Sequence, residues 1–131
     1  MIGLLIVTHC DLGKELLKAA EFIVGHVEAA DTVSIYQTLE SEEILKSVQE
    51  KISSLNKGKG VIILTDMFGG TPSNISLSFL QDDMVEVLTG VNLPMVIAIV
   101  QNRSDMKLNK LAEKAQEAGK MSISLAGNLL K

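Results

Sequence analysis

Two stretches of this chain, residues 1–8 and 60–65, are apolar almost without a break. A strand with one face in water alternates apolar and polar residues. A strand that is apolar throughout has to be covered on both faces. Each stretch is followed, after a polar turn, by a segment whose apolar residues recur with helical spacing. Residues 11–24 place Leu12, Leu16, Leu17, Ala20 and Ile23 on one face, with Asp11 as the candidate N-cap and Gly25 as the stop. Residues 41–54, opened by Ser41, turn Ile44, Leu45, Val48 and Ile52 inward. Residues 32–36 and 84–88 read as short strands. After Gly69-Gly70, Thr71 is placed to cap a helix that has Pro72 in its first position and runs to about residue 80. Pro94 opens another helix to about residue 100, and residues 107–118 form a further one ending at Gly119.

Strands alternating with helices imply an α/β fold, and their continuous apolar character implies a doubly wound, mainly parallel sheet with helices on both faces. Right-handed crossovers then limit the topologies, and the commonest open solution, with strand one beside strands two and three, gives the order 2-1-3-4. Residues 122–125, Ser-Ile-Ser-Leu, alternate and read as a short C-terminal edge strand. With 131 residues, 47% of them hydrophobic, the chain has material for one core and reads as a single domain over 1–131. Only 21% of the residues are charged and the net charge is -4, which argues against a disordered chain and against nucleic acid as a partner. Cys10 is the only cysteine, so neither an intrachain disulfide nor a cysteine-rich zinc site is available, and a reducing cytoplasm suits the chain. The apolar N-terminal run is too short for a signal peptide or a membrane span.

In the order 2-1-3-4 the helices after strands one and three leave on opposite faces, and a crevice opens between those strand ends. Strand one ends in Thr8-His9-Cys10-Asp11. Strand three ends in Thr65-Asp66-Met67-Phe68-Gly69-Gly70-Thr71-Pro72-Ser73-Asn74. An imidazole held by a carboxylate on one ring nitrogen keeps the other free as a nucleophile, and the carboxylate steadies the charge that develops. The amides of Gly69 and Gly70, the start of the next helix and the hydroxyls of Thr71 and Ser73 are suited to holding an anion. Together these groups suit phosphoryl transfer to and from nitrogen, with His9 as nucleophile and Asp66 as its orienting base. Cys10 reads as a small, partly buried residue whose side chain diverges from His9. His26 reads as a solvated loop residue, and the two histidines are too far apart in sequence to suggest a metal site. Neither G-x-x-x-x-G-K-[ST] nor G-x-G-x-x-G occurs, so no nucleotide loop is present.

Three segments carry a family resemblance across nearly the whole chain: the Thr8-His9 strand end, the block from Leu64 to Asn74, and Gly90-Val91-Asn92-Leu93-Pro94-Met95. Together they resemble the IIA domain of the mannose family of phosphotransferase systems. The resemblance implies that His9 takes a phosphoryl group from phospho-HPr and passes it to a IIB domain, with no metal and no cofactor. It implies that Asp66 bonds the His9 imidazole, and that Gly69, Gly70, Thr71, Ser73 and Asn74 wall the phosphate. Asn92 and its neighbours would form the opposite lip. The resemblance implies a dimer whose last short strand can exchange between subunits, so a homodimer in which residues 122–125 add to the partner's sheet or interface is expected here. Membrane association would be indirect, through IIC and IID components, and the acceptor would be another polypeptide. The chain departs from the family pattern at Cys10, where glycine is common, and at Asp11 and Gly13.

Two other readings share these residues. A regulatory interaction module would keep the same His9 site and use its phosphorylation state as a signal. A receiver-like domain would be phosphorylated on Asp66, but such domains hold Mg²⁺ with an acidic pair after strand one, where this chain has one carboxylate, Asp11.

Overall fold

In the computed structural model, which describes residues 1–131, the chain runs β1 (Gly3–His9), α1 (Leu12–Val24), β2 (Ala30–Ile35), α2 (Ser41–Leu55), β3 (Val61–Thr65), α3 (Thr71–Leu77), β4 (Val85–Thr89), α4 (Leu93–Asn102), α5 (Leu108–Met121) and α6 (Ala126–Leu129). The strands form one sheet in the order β2-β1-β3-β4, and all three neighbouring pairs are parallel. This is the order that the apolar pattern and right-handed crossovers favour.

The continuous apolar runs follow from the two layers they serve. Leu4 and Ile6 of β1 and Ile62 and Leu64 of β3 face one way, into a core shared with Ala20 of α1, Met95, Val96 and Ile99 of α4, and Leu111 and Ala115 of α5. Leu5, Val7, Val61 and Ile63 face the other way, against Ile44, Val48 and Leu55 of α2. Every one of these strand residues is fully buried. Each buried aliphatic side chain contributes about 1.5–3 kcal/mol relative to exposure, so the two central strands hold a large share of the stability. At the far end of the sheet the Arg103 guanidinium is buried and donates to the backbone carbonyls of Ile2, Glu28 and Ala29. Burial pulls its pKa down, against the nearby charge of Glu28.

Several local expectations need correction. Asp11 stands at the N-cap position of α1 but makes no capping bond. The Thr8 hydroxyl takes that role, accepting the Gly13 amide at 2.8 Å. This contact pulls Gly13 onto the sheet and turns α1, so Gly13 and Ala20 are buried while Leu12 and Ile23 are exposed. Thr71 is the first residue of α3, and the cap position belongs to Gly70. Gly119 does not stop α5, which continues to Met121. A Cβ at Gly119 would lie 2.7 Å from Met95 Cε, and its carbonyl accepts from Asn92 Nδ2 at 3.0 Å. The glycine therefore serves close helix packing. Asn92 also caps α4, its Oδ1 accepting the Met95 amide at 3.0 Å, so its side chain is a structural joint.

Residues 122–125 form no strand in this chain; they precede α6, and their side chains are exposed. An alternating run becomes a strand only where it pairs, and residues 122–125 pair with no strand of the sheet. No helix is long and apolar enough to cross a membrane.

Candidate active site

Val7 of β1 lies opposite Thr65 of β3, so His9, the last residue of β1, meets Asp66, the first residue past β3. The Asp66 carboxylate reaches back under His9. Its Oδ2 accepts the His9 backbone amide at 3.0 Å and lies 2.8 Å from His9 Nδ1. Its Oδ1 accepts the Met67 amide at 3.0 Å. With the carboxylate ionised, Nδ1 carries the ring proton and donates it, which leaves the Nε2 lone pair free. Burial pushes the Asp66 carboxyl up, but its hydrogen bonds from the His9 ring and amide outweigh this, and the net shift is downward. The Asp66 side chain is 13% exposed and that of His9 46%, so a shielded carboxylate holds a ring that an incoming group can reach.

Gly70 closes on the free side of the ring. A Cβ built there would lie 2.9 Å from His9 Cε1 and 3.4 Å from Nε2. Gly69 turns the chain at φ 89°, with open space around it. Thr71 is exposed and lines, with His9, Cys10, Tyr36 and Leu39, a cavity of about 750 Å³ that opens beside the imidazole. Met67 and Phe68, in the loop after Asp66, are exposed, Phe68 with 74% of its surface in solvent.

Not every expected residue faces this space. Ser73 is fully buried; its hydroxyl is 2.7 Å from Thr65 Oγ1 and also donates to the Met67 carbonyl. It braces the loop, because the first turn of α3 directs it toward the end of β3. Asn74 is exposed, and its amide completes the first turn by bonding the Gly70 carbonyl at 2.9 Å. Cys10 is exposed rather than partly buried, and its φ is +50°. Two contributors escaped the sequence reading. Thr8 fixes the start of α1, and Tyr36, just after β2, donates its hydroxyl to the Asp11 carboxylate. A polar residue at the end of a buried strand is the signal that marks Thr8; nothing in sequence marks Tyr36. No three His, Cys, Asp or Glu side chains converge on a point that could hold a metal ion.

The family profile described as "PTS system fructose IIA component" matches residues 3–116. The chain is 29% identical over 124 residues to the mannose-specific EIIAB component of Escherichia coli strain K12, which covers 93% of this chain but 38% of that protein. It is 30% identical over 112 residues to the sorbose-specific EIIA component of Lacticaseibacillus casei, covering 82% of this chain and 78% of that one. The crystal structure of a phosphotransferase system EIIA component from Streptococcus agalactiae superposes with a TM-score of 0.89 at 26% identity, covering 98% of this chain and 99% of that one.

Proposed function

The chain belongs to the mannose-type IIA family of sugar phosphotransferase systems, and from that premise we propose that it carries a phosphoryl group on His9 Nε2, received from phospho-HPr and passed to a IIB domain. The observation that carries this reading is the His9–Asp66 pair at 2.8 Å, which commits Nδ1 to the carboxylate and leaves Nε2 as the nucleophile. In the forward step the Nε2 lone pair attacks the phosphorus of the donor's phosphohistidine. A new P–N bond forms as the donor's P–N bond breaks, and the donor imidazole keeps the electron pair. The His9 ring becomes cationic, and Asp66 balances that charge across the Nδ1 proton. Gly70 lies against the Nε2 edge of the ring, and backbone amides from Gly69 to Thr71 would receive the phosphoryl oxygens. Passing the group to the acceptor reverses these events. The arrangement favours His9 over Asp66 as the modified residue, because both Asp66 oxygens already accept hydrogen bonds.

The test is reconstitution with phosphoenolpyruvate, the HPr-phosphorylating enzyme and HPr, followed by mapping of the label. Label is expected on His9, acid-labile and alkali-stable. An acyl phosphate on Asp66 that persists in His9→Ala would overturn the reading.

We also propose that the carrier is a homodimer held through its C-terminal segment. Met121, Ile123, Leu125, Leu129 and Leu130 are all exposed in the single chain. Burying Ile123, Leu125, Leu129 and Leu130 against a second copy would contribute about 1.5–3 kcal/mol each if burial were complete. Light scattering is expected to show dimers for the full chain and monomers after deletion of residues 121–131. A monomeric full chain at micromolar concentration would remove the dimer and leave the His9 chemistry untouched.

A further inference from the structure

We propose that the hydrogen bond from the Tyr36 hydroxyl to the Asp11 carboxylate is a clasp that positions His9, by holding the intervening Cys10 in a left-handed backbone conformation. The proposal rests on the carrier reading above and assigns a positioning role to a pair of residues outside the reacting groups.

Only Cys10 and Asp11 separate His9 from α1. Cys10 has a φ of +50°, a region that disfavours an L-residue with a side chain by about 5- to 30-fold in population relative to its usual conformations. Left to itself the link would relax, and the direction in which β1 delivers His9 would relax with it. The surroundings oppose this at three points. The Cys10 amide donates to the Ile35 carbonyl at 2.9 Å. The Gly13 amide is fixed by Thr8. Between them Tyr36 holds Asp11. His9 is paired in register with Ile35, the last residue of β2, so Tyr36 is the next residue along the partner strand. The clasp thus carries the β1–β2 pairing one step further through side chains, after the backbone ladder has ended. Tyr36 and Cys10 also line the cavity beside His9, which places the clasp in the wall an incoming partner meets.

The bond is durable near neutral pH. Its acceptor, Asp11, is held below the usual carboxylate range, chiefly by the Tyr36 hydroxyl. The Tyr36 phenol is raised to about 12, chiefly by its bond to Asp11. Donor and acceptor therefore keep their roles wherever the carrier works. An ordinary surface hydrogen bond would leave the His9 ring indifferent to its loss, and this separates the two readings.

The test is Tyr36→Phe, which removes the hydroxyl and keeps the ring, made alone and in a Cys10→Gly background. Transfer from phospho-HPr is expected to fall about fivefold or more in Tyr36→Phe, because the left-handed link loses its support. In the Cys10→Gly background the same change should cost less than about twofold, since glycine enters that conformation freely. Nitrogen-15 spectra of the unphosphorylated protein should show one His9 ring tautomer in the wild type and a broadened or second set of ring signals in Tyr36→Phe. Wild-type transfer with unchanged ring signals would overturn the clasp, as would a loss that Cys10→Gly does not relieve. If the wild-type chain takes no label at all, the carrier reading fails, and the ring signals alone still decide whether the clasp positions His9.

Discussion

Asp66→Asn should slow phosphoryl transfer to His9 at least tenfold, which adds at least ~1.4 kcal/mol to the barrier. An amide cannot satisfy the three donors that the carboxylate now serves. One oxygen accepts both the His9 amide and the ring Nδ1 proton, and the other accepts the Met67 amide. With the asparagine oxygen toward His9, its NH₂ confronts the Met67 N–H. In the opposite orientation the NH₂ confronts the His9 N–H and donates to Nδ1, which drives the ring proton onto Nε2 and occupies the nucleophilic lone pair. In both orientations the negative charge opposite the developing imidazolium is gone. Loss of charged hydrogen bonds at a shielded site should also lower unfolding stability by about 1–2 kcal/mol. The pH dependence has a definite sign. Folding lowers the Asp66 pKa from its ordinary 3.8, so the stabilisation is complete above that value and is lost as pH falls through the lowered one. Urea unfolding should show wild type and Asp66→Asn well separated near neutral pH and converging in acid. Transfer at the wild-type rate by Asp66→Asn would remove the carboxylate from the mechanism.

The larger rate effect is expected from a single methyl group. Gly70→Ala should reduce transfer by about 10²-fold, the loss that follows a displacement of about 1 Å between reacting groups. The new Cβ would lie 2.9 Å from His9 Cε1, inside van der Waals contact, so either the ring or the loop must move. The backbone itself does not resist the substitution, since Gly70 has φ -86° and ψ 171°, which any residue adopts. Global stability should therefore change by less than ~1 kcal/mol, because a half-exposed imidazole can swing aside. Gly69→Ala supplies the contrast. Its φ of 89° makes a side chain costly, by about 1–2 kcal/mol, while the space around it is open. Stability should fall at position 69 and catalysis at position 70. Single-turnover transfer and chemical unfolding on both variants check this, and a Gly70→Ala protein with wild-type transfer would show that the ring is not confined.

The contrast between neighbouring glycines also shows where sequence reasoning ends. The pair signalled a turn beside the site, but one glycine is required by torsion and the other by space, and only coordinates separate those causes. The strands were legible because burial on both faces leaves no polar alternative in β1 and β3. Their order was the commonest open arrangement that right-handed crossovers allow, and the meeting of His9 with Asp66 followed from that order. Side-chain assignments within the loops did not follow. Thr8, Asp11, Thr71 and Ser73 all have oxygens that could serve a helix start or an anion, and a shift of one residue decides which. The structure gives the capping role to Thr8, ties Asp11 to Tyr36 and turns Ser73 inward. Gly119 looked like a stop because nothing local records that Met95 packs against it. The positive φ of Cys10 has no signature in a cysteine at all.

The placement of His9 and Asp66 at the ends of β1 and β3 bears on how the protein loses activity. Those strands are the two inner members of the sheet, so the amides behind the site should be among the last to exchange with solvent, opening only when the whole domain does. The half-exposed imidazole can swing, but the strand ends that bring it back to Asp66 give way only with the sheet. Partial damage at the periphery, such as cleavage in the exposed tail beyond α5, would leave the chemistry running until the sheet itself melts. If the proposed carrier role holds, the scaffold of the site is thereby insulated from the encounters that strain the protein's surface.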